Sequence, residues 1–202
     1  MSTAGGHDDV GPARSAGPAP GPDATGRPAA LPDLRGVAAV VMGVSGSGKT
    51  VLAQRLSAAL RLPYAEADEF HSPECIAAMA GGTALTDEDR LPWLGRLRDW
   101  TGRPEQAGGS VVTCSALKRS YRDVLREAPV RVVFLHVVAA AGPIETRMRS
   151  REHFMPAALL PSQLAALEPL QPDEVGVQLS NDATLEDLTA RALDALRVLA
   201  AR

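Results

Sequence analysis

A chain of 202 residues that is 45% apolar and 22% charged fits one soluble globular domain with a single core. Its net charge of −3 and its 3% aromatic content argue against nucleic acid or an anionic membrane as partner, since those need basic surface and stacking platforms. No apolar run nears the roughly 20 residues that span a bilayer, and the N-terminus lacks the basic-then-apolar pattern of a signal peptide. Cys75 and Cys114 have neither zinc-site nor C-x-x-C spacing and read as free thiols, so the expected location is cytoplasmic.

Residues 1 to about 34 are rich in Gly, Pro and Ala and read as a disordered tail, with one domain over 35–202. From Val37 the pattern alternates strand and helix. Val37–Met42 is a glycine-bounded apolar run, a buried strand, and Lys49–Leu60 carries Leu52, Leu56 and Leu60 on one helical face. Pro63–Asp68 suggests a second, short strand. Ser72-Pro73 caps a helix that stops at Gly81-Gly82, and Thr86 with the following acids opens another that carries Trp93, Leu94, Leu97 and Trp100. Ser110–Cys114 is a third strand, 118–126 helical, and Arg131–Val137 a fourth strand. Residues 143–151 read as helix and 152–162, with Pro156 and Pro161, as irregular. Val175–Leu179 is a fifth strand, and Thr184 caps a closing helix to Leu199. This alternation predicts an α/β fold: three layers, α/β/α, around a mostly parallel five-stranded sheet.

The loop between the first strand and helix, Gly43-Val44-Ser45-Gly46-Ser47-Gly48-Lys49-Thr50, fits G-x-x-x-x-G-K-[ST] in the strand–loop–helix frame that this motif requires. Its N–H groups can wrap phosphate oxygens, Lys49 can reach the β- and γ-phosphates, and the Thr50 hydroxyl can ligate Mg²⁺. The only asparagine is Asn181, so no N-K-x-D guanine reader exists and ATP is the expected nucleotide. The third strand ends without an acid. Glu66 and Asp68, two apart at the end of the second strand, are expected to point to one side and to accept a proton or hold magnesium there. Lys118, Arg119 and Arg122 follow the third strand at the same sheet end. Arg147 and Arg151 share a helix face and suit the charge of a moving phosphoryl group. His71 and His153 each adjoin a phenylalanine; His136 reads as core or sheet-edge and the two tryptophans as core.

Taken with the loop, Ala67-Asp68-Glu-Phe70-His71, Leu85-Thr-Asp87-Glu-Asp89-Arg90-Leu-Pro92-Trp93-Leu94, Cys114-Ser-Ala-Leu-Lys118-Arg-Ser-Tyr121-Arg122-Asp123, and His153-Phe-Met155 through Leu160-Pro-Ser162-Gln163 resemble the gluconokinase family, in family order over roughly 38–200. The resemblance implies ATP:D-gluconate 6-phosphotransferase activity, a fold like nucleoside monophosphate and shikimate kinases with a small helical lid, and, often, a homodimer. It further implies that 43–50 hold ATP and Mg²⁺. Asp68 and His71, with Glu66 nearby, would face the sugar acid, and Lys118 and Arg122 would approach the substrate. Arg147, Arg151 and His153 would belong to the lid. The chain departs from the family pattern at Glu66, which replaces an aspartate, and at Cys75 and Ala78-Met79, where the pattern has Asn and Lys-Met. A kinase of another small polyol acid, such as shikimate or a related aldonate, and a non-catalytic ATP-binding sensor stay open as alternatives.

Overall fold

The computed structural model describes residues 31–139 and 160–201. Five parallel strands form the sheet: β1 (Val37–Met42), β2 (Tyr64–Glu66), β3 (Ser110–Cys114), β4 (Arg131–Val138) and β5 (Gly176–Ser180), in the order β2-β3-β1-β4-β5. The described helices are α1 (Lys49–Leu60), α2 (Pro73–Ala80), α3 (Asp87–Thr101), α4 (Arg119–Arg126), α5 (Leu160–Ala166) and α6 (Leu185–Ala200).

Alternation along the strands sorts the core into two layers. Val37, Ala39 and Val41 of β1 and Val133, Leu135 and Val137 of β4 pack with Leu52 and Leu56 of α1 and Leu188, Leu193 and Leu196 of α6. The intervening Ala38, Val40, Met42, Val132 and Phe134 meet Trp93, Leu94 and Leu97 of α3 and Tyr121 and Leu125 of α4. All six residues of β1 are buried, as a central strand covered on both faces requires. Thr86 caps α3 through a reciprocal box with Asp89, and Thr184 accepts from the Asp187 N–H at the start of α6.

Three expectations are corrected. Pro32 and Leu34 are buried, and Leu34 packs in the α1/α6 layer, so the packed body begins before residue 35. β2 stops at Glu66, and Ala67–Phe70 form a 3₁₀ turn, so Asp68 is not on the strand. The cause is long-range: the Trp93 indole N–H donates to the Ala67 carbonyl at 2.6 Å, which takes that group out of any ladder. Leu160–Ser162 are helical rather than irregular, since Pro161 lies in the first turn of α5, where its missing N–H would have no intrahelical partner. The helix expected over 143–151 lies outside the described residues.

Candidate active site

The carboxyl ends of β1, β2, β3 and β5 converge on a cavity of about 270 Å³. Its wall brings together Ser45, Gly46, Gly48, Lys49 and Thr50 of the loop, Glu66 and Asp68 beyond β2, Cys114 and Ser115 at the end of β3, and Asn181 after β5. Sheet order places these ends side by side: β1 connects outward to β2, and the chain crosses to the other side of β1 at β4. Open parallel sheets hold ligands at such a switch point.

The loop geometry explains its glycines. Gly43 has φ 136°, and a Cβ there would come 2.5 Å from the Val137 carbonyl oxygen; Gly48 has φ 105°, and a Cβ would come 2.6 Å from the Asn181 amide nitrogen. Lys49 Nζ donates to the Val44 carbonyl at 2.9 Å. Burial pushes the Lys49 ammonium below its ordinary pKa, against the opposing pull of the Asp68 and Glu66 charges.

The two carboxylates share the cavity although they lie on different elements. Glu66 is level with Thr113 in the β2–β3 register, so it sets a carboxylate beside the end of β3, which carries no acid of its own. One Glu66 oxygen accepts from the Tyr64 hydroxyl and the other from the Thr113 hydroxyl. Asp68 is 47% exposed at its side chain, with His71 Nε2 4.0 Å from its Oδ1. His71 stacks on the Trp93 indole, with ring centroids 4.2 Å apart and planes at 15°. Burial, with Arg90 and Arg96 nearby, pushes the His71 pKa down to about 4, so the imidazole is neutral at pH 7 and does not form an ion pair with Asp68 there.

That shift sets an acid limit on stability. Above pH 6.5 the imidazole is neutral in both the folded and the unfolded chain. As pH falls from 6.5 towards 4 the unfolded chain takes up the proton first, and the fold loses about 2 to 3 kcal/mol. His71→Gln should flatten denaturation midpoints measured across this window; an unchanged slope would assign the acid sensitivity elsewhere, His136 being also lowered by burial.

The remaining expected site residues fall in different places. Lys118, at the start of α4, donates to both Asp87 carboxylate oxygens at 2.8 Å, and Tyr121 donates its hydroxyl to the same Asp87. Lys118 and Arg90 lie 5.4 Å and 5.7 Å from the Tyr121 ring centroid. Arg122 is a correction: it is fully buried and does not line the cavity. Its Nε and Nη2 grip Glu174 at 2.6 and 2.9 Å, while Nη1 donates to the carbonyls of Ala116, Leu117 and Glu168 and Nη2 also donates to that of Pro169. A guanidinium so consumed has no donor left for a substrate. Arg147, Arg151 and His153 lie outside the described residues.

Two side chains at the loop were not assigned from sequence. Gln163 of α5 accepts from the Ser45 N–H at 2.7 Å, and Asn181 donates to the Ser47 carbonyl at 2.7 Å. Each pair is more than 100 residues apart, so no local spacing could show it.

A phosphate loop whose lysine shares a cavity with two carboxylates is an arrangement for moving a phosphoryl group onto a hydroxyl. No family model matches the chain. It is 46% identical over 155 residues to a gluconokinase of Gluconobacter oxydans (strain 621H), covering 74% of this chain and 87% of that one. Among solved structures it resembles a sugar kinase from Janibacter sp. HTCC2649, with 53% identity, a TM-score of 0.74 and coverage of 80% of this chain and 96% of that one. It also resembles a gluconokinase from Sinorhizobium meliloti 1021, with 39% identity, a TM-score of 0.74 and coverage of 83% and 95%. At this identity, over most of both chains, the chain belongs to the gluconokinase family.

Proposed function

We infer that the protein transfers the γ-phosphoryl group of ATP to the 6-hydroxyl of D-gluconate, giving 6-phospho-D-gluconate and ADP. The observation that carries the reading is the single cavity holding Lys49, Thr50, Glu66 and Asp68. In the proposed reaction Asp68 orients the 6-hydroxyl and takes its proton, the hydroxyl oxygen bonds to the γ-phosphorus, and the bond to the bridging β–γ oxygen breaks. Asp68 suits this role through a carboxylate that lines the cavity and is 47% exposed. Lys49 balances charge on the moving group. Arg147 and Arg151 would add to it, and His71, Lys118 and His153 would border the acceptor.

Magnesium would enter with the nucleotide, and the donor set fits it. Thr50, Glu66 and Asp68 offer hard oxygens around one space, and Mg²⁺ commonly takes one or two such ligands beside phosphates and water. Among the described residues no cluster of three His, Cys, Asp or Glu side chains could hold a metal by itself. When bound, the ion would neutralise phosphate charge.

Among the described residues no helix is long and apolar enough to cross a membrane. With two free thiols, Cys75 and Cys114, a cytoplasmic place of action accords with the reading, and a homodimer is the assembly it carries from the family resemblance.

The test is an ADP-release assay across a panel of sugar acids. Gluconate is expected to give the highest kcat/KM, and Asp68→Asn to lower it by about 100-fold or more. A second reading, a kinase of a related aldonate, is favoured by Cys75 and Ala78 on α2, both partly exposed where the family pattern has polar or cationic side chains. Preference for another acid in the panel would select it. Nucleotide binding with no acceptor phosphorylated would make the protein a sensor instead.

A further inference from the structure

The phosphate-binding loop is held by two side-chain amides from distant parts of the chain. Gln163 Oε1 accepts from the Ser45 N–H at 2.7 Å, and its Nε2 donates to Ser45 Oγ at 3.0 Å; both residues are buried. From the other side, Asn181 Nδ2 donates to the Ser47 carbonyl at 2.7 Å. These contacts act on peptide planes. In a planar trans peptide the C=O and the following N–H point in opposite directions, so fixing one fixes the other.

The Val44–Ser45 peptide is held at both ends, its carbonyl by Lys49 Nζ and, at 3.3 Å, by the Ser47 N–H, and its own N–H by Gln163. When Lys49 turns to a phosphate it gives up the Val44 carbonyl, and Gln163 still keeps this peptide from flipping. The Ser47–Gly48 peptide is held by its carbonyl, which leaves the Gly48 N–H facing away from Asn181 and into the loop. At Ser47–Gly48 this keeps the N–H inward and the carbonyl outward, as an anion site needs, and at Val44–Ser45 it keeps the carbonyl turned to Lys49, so that it aims the ammonium. Asn181 also lines the cavity and sits against Gly48, so its amide occupies space that a freely moving loop would use.

We propose that Gln163 and Asn181 are positioning residues that set the Val44–Ser45 and Ser47–Gly48 peptides for a nucleoside polyphosphate before it arrives. They touch the loop and act through it. The proposal rests on the reading of the cavity as a nucleotide site and needs no particular acceptor.

The experiment measures the affinity of the full chain for ADP by calorimetry, with melting temperature and steady-state kinetics alongside. Gln163→Met and Asn181→Leu keep the side-chain volume and remove the hydrogen bonds. Each is expected to weaken ADP binding by about 10-fold, the worth of one well-placed hydrogen bond. The KM for ATP should rise in parallel while the KM for the acceptor stays unchanged. Asn181 is only part-buried, so its variant tests the idea where folding is not at stake. Parental affinity in folded Asn181→Leu would overturn the proposal, and so would equal losses in the ATP and acceptor KM values. A parent chain that binds ADP yet phosphorylates no sugar acid would overturn the phosphotransfer reading and leave this one standing.

Discussion

Lys49→Ala is expected to lower kcat/KM by about 10³-fold or more while the protein still folds. The ammonium is the one cation among the described cavity-lining residues, and it faces both carboxylates. Without it, negative charge gathering on the γ-phosphoryl group would meet Glu66 and Asp68 uncompensated. The fold should tolerate the change, because the side chain makes its hydrogen bond to the Val44 carbonyl at a cavity wall rather than in either core layer. The check is single-turnover transfer with a parallel melting curve. Near-parental turnover in a folded variant would sink the role given to Lys49. Lys49→Arg should recover little, since a fork-shaped guanidinium does not reproduce a compact ammonium in this space.

Arg122→Met should act on stability and not on catalysis. Both partners of the Arg122–Glu174 pair are buried, with side chains 0% exposed. Removing one partner strands the other charge, which costs about 3–5 kcal/mol and lowers the melting temperature by roughly 10 °C in a domain of this size. It also strands the carbonyls of Ala116, Leu117, Glu168 and Pro169, so pairing it with Glu174→Leu should recover only part of the loss. Burial alone would raise the Glu174 pKa, and the Arg122 hydrogen bonds override it and hold the carboxyl low. The stabilisation is therefore present above pH 4.5 and is lost as pH falls below it. Assayed well below its melting temperature, Arg122→Met should keep the parental KM for the acceptor. A raised KM with an unchanged melting temperature would return Arg122 to the substrate.

Local rules made much of this structure legible. β1, α1 and β3 have the bounds that an apolar run, a glycine-rich turn and a helical stripe imply. Ser72, Thr86 and Thr184 each cap the helix they precede. What failed depends on partners far along the chain. Asp68 left the strand because Trp93, in another helix, takes the Ala67 carbonyl. Arg122 left the site because Glu174, 52 positions on, meets it in the interior. Seen from sequence, a basic residue after a strand in such a fold reads equally as a ligand or as a rivet, and only the contact separates them. Gln163 and Asn181 have no role at the loop that sequence could assign, for the same reason: an amide that holds a backbone group leaves no periodicity.

The sheet also gives the two halves of the site unequal firmness. The phosphate loop grows from β1, which is paired on both sides and buried throughout. Glu66 and Asp68 lie at and just beyond the end of β2, an edge strand of three residues paired, among the described residues, only with β3. Opening the first half means breaking the domain; opening the second means fraying a border. Changes around Glu66, Asp68 and α2 can therefore accumulate at small cost to the fold, whereas changes beneath Gly43 cannot. In this architecture the phosphate loop is the part the fold guards, and the β2 border is where the fold leaves the site most room to change.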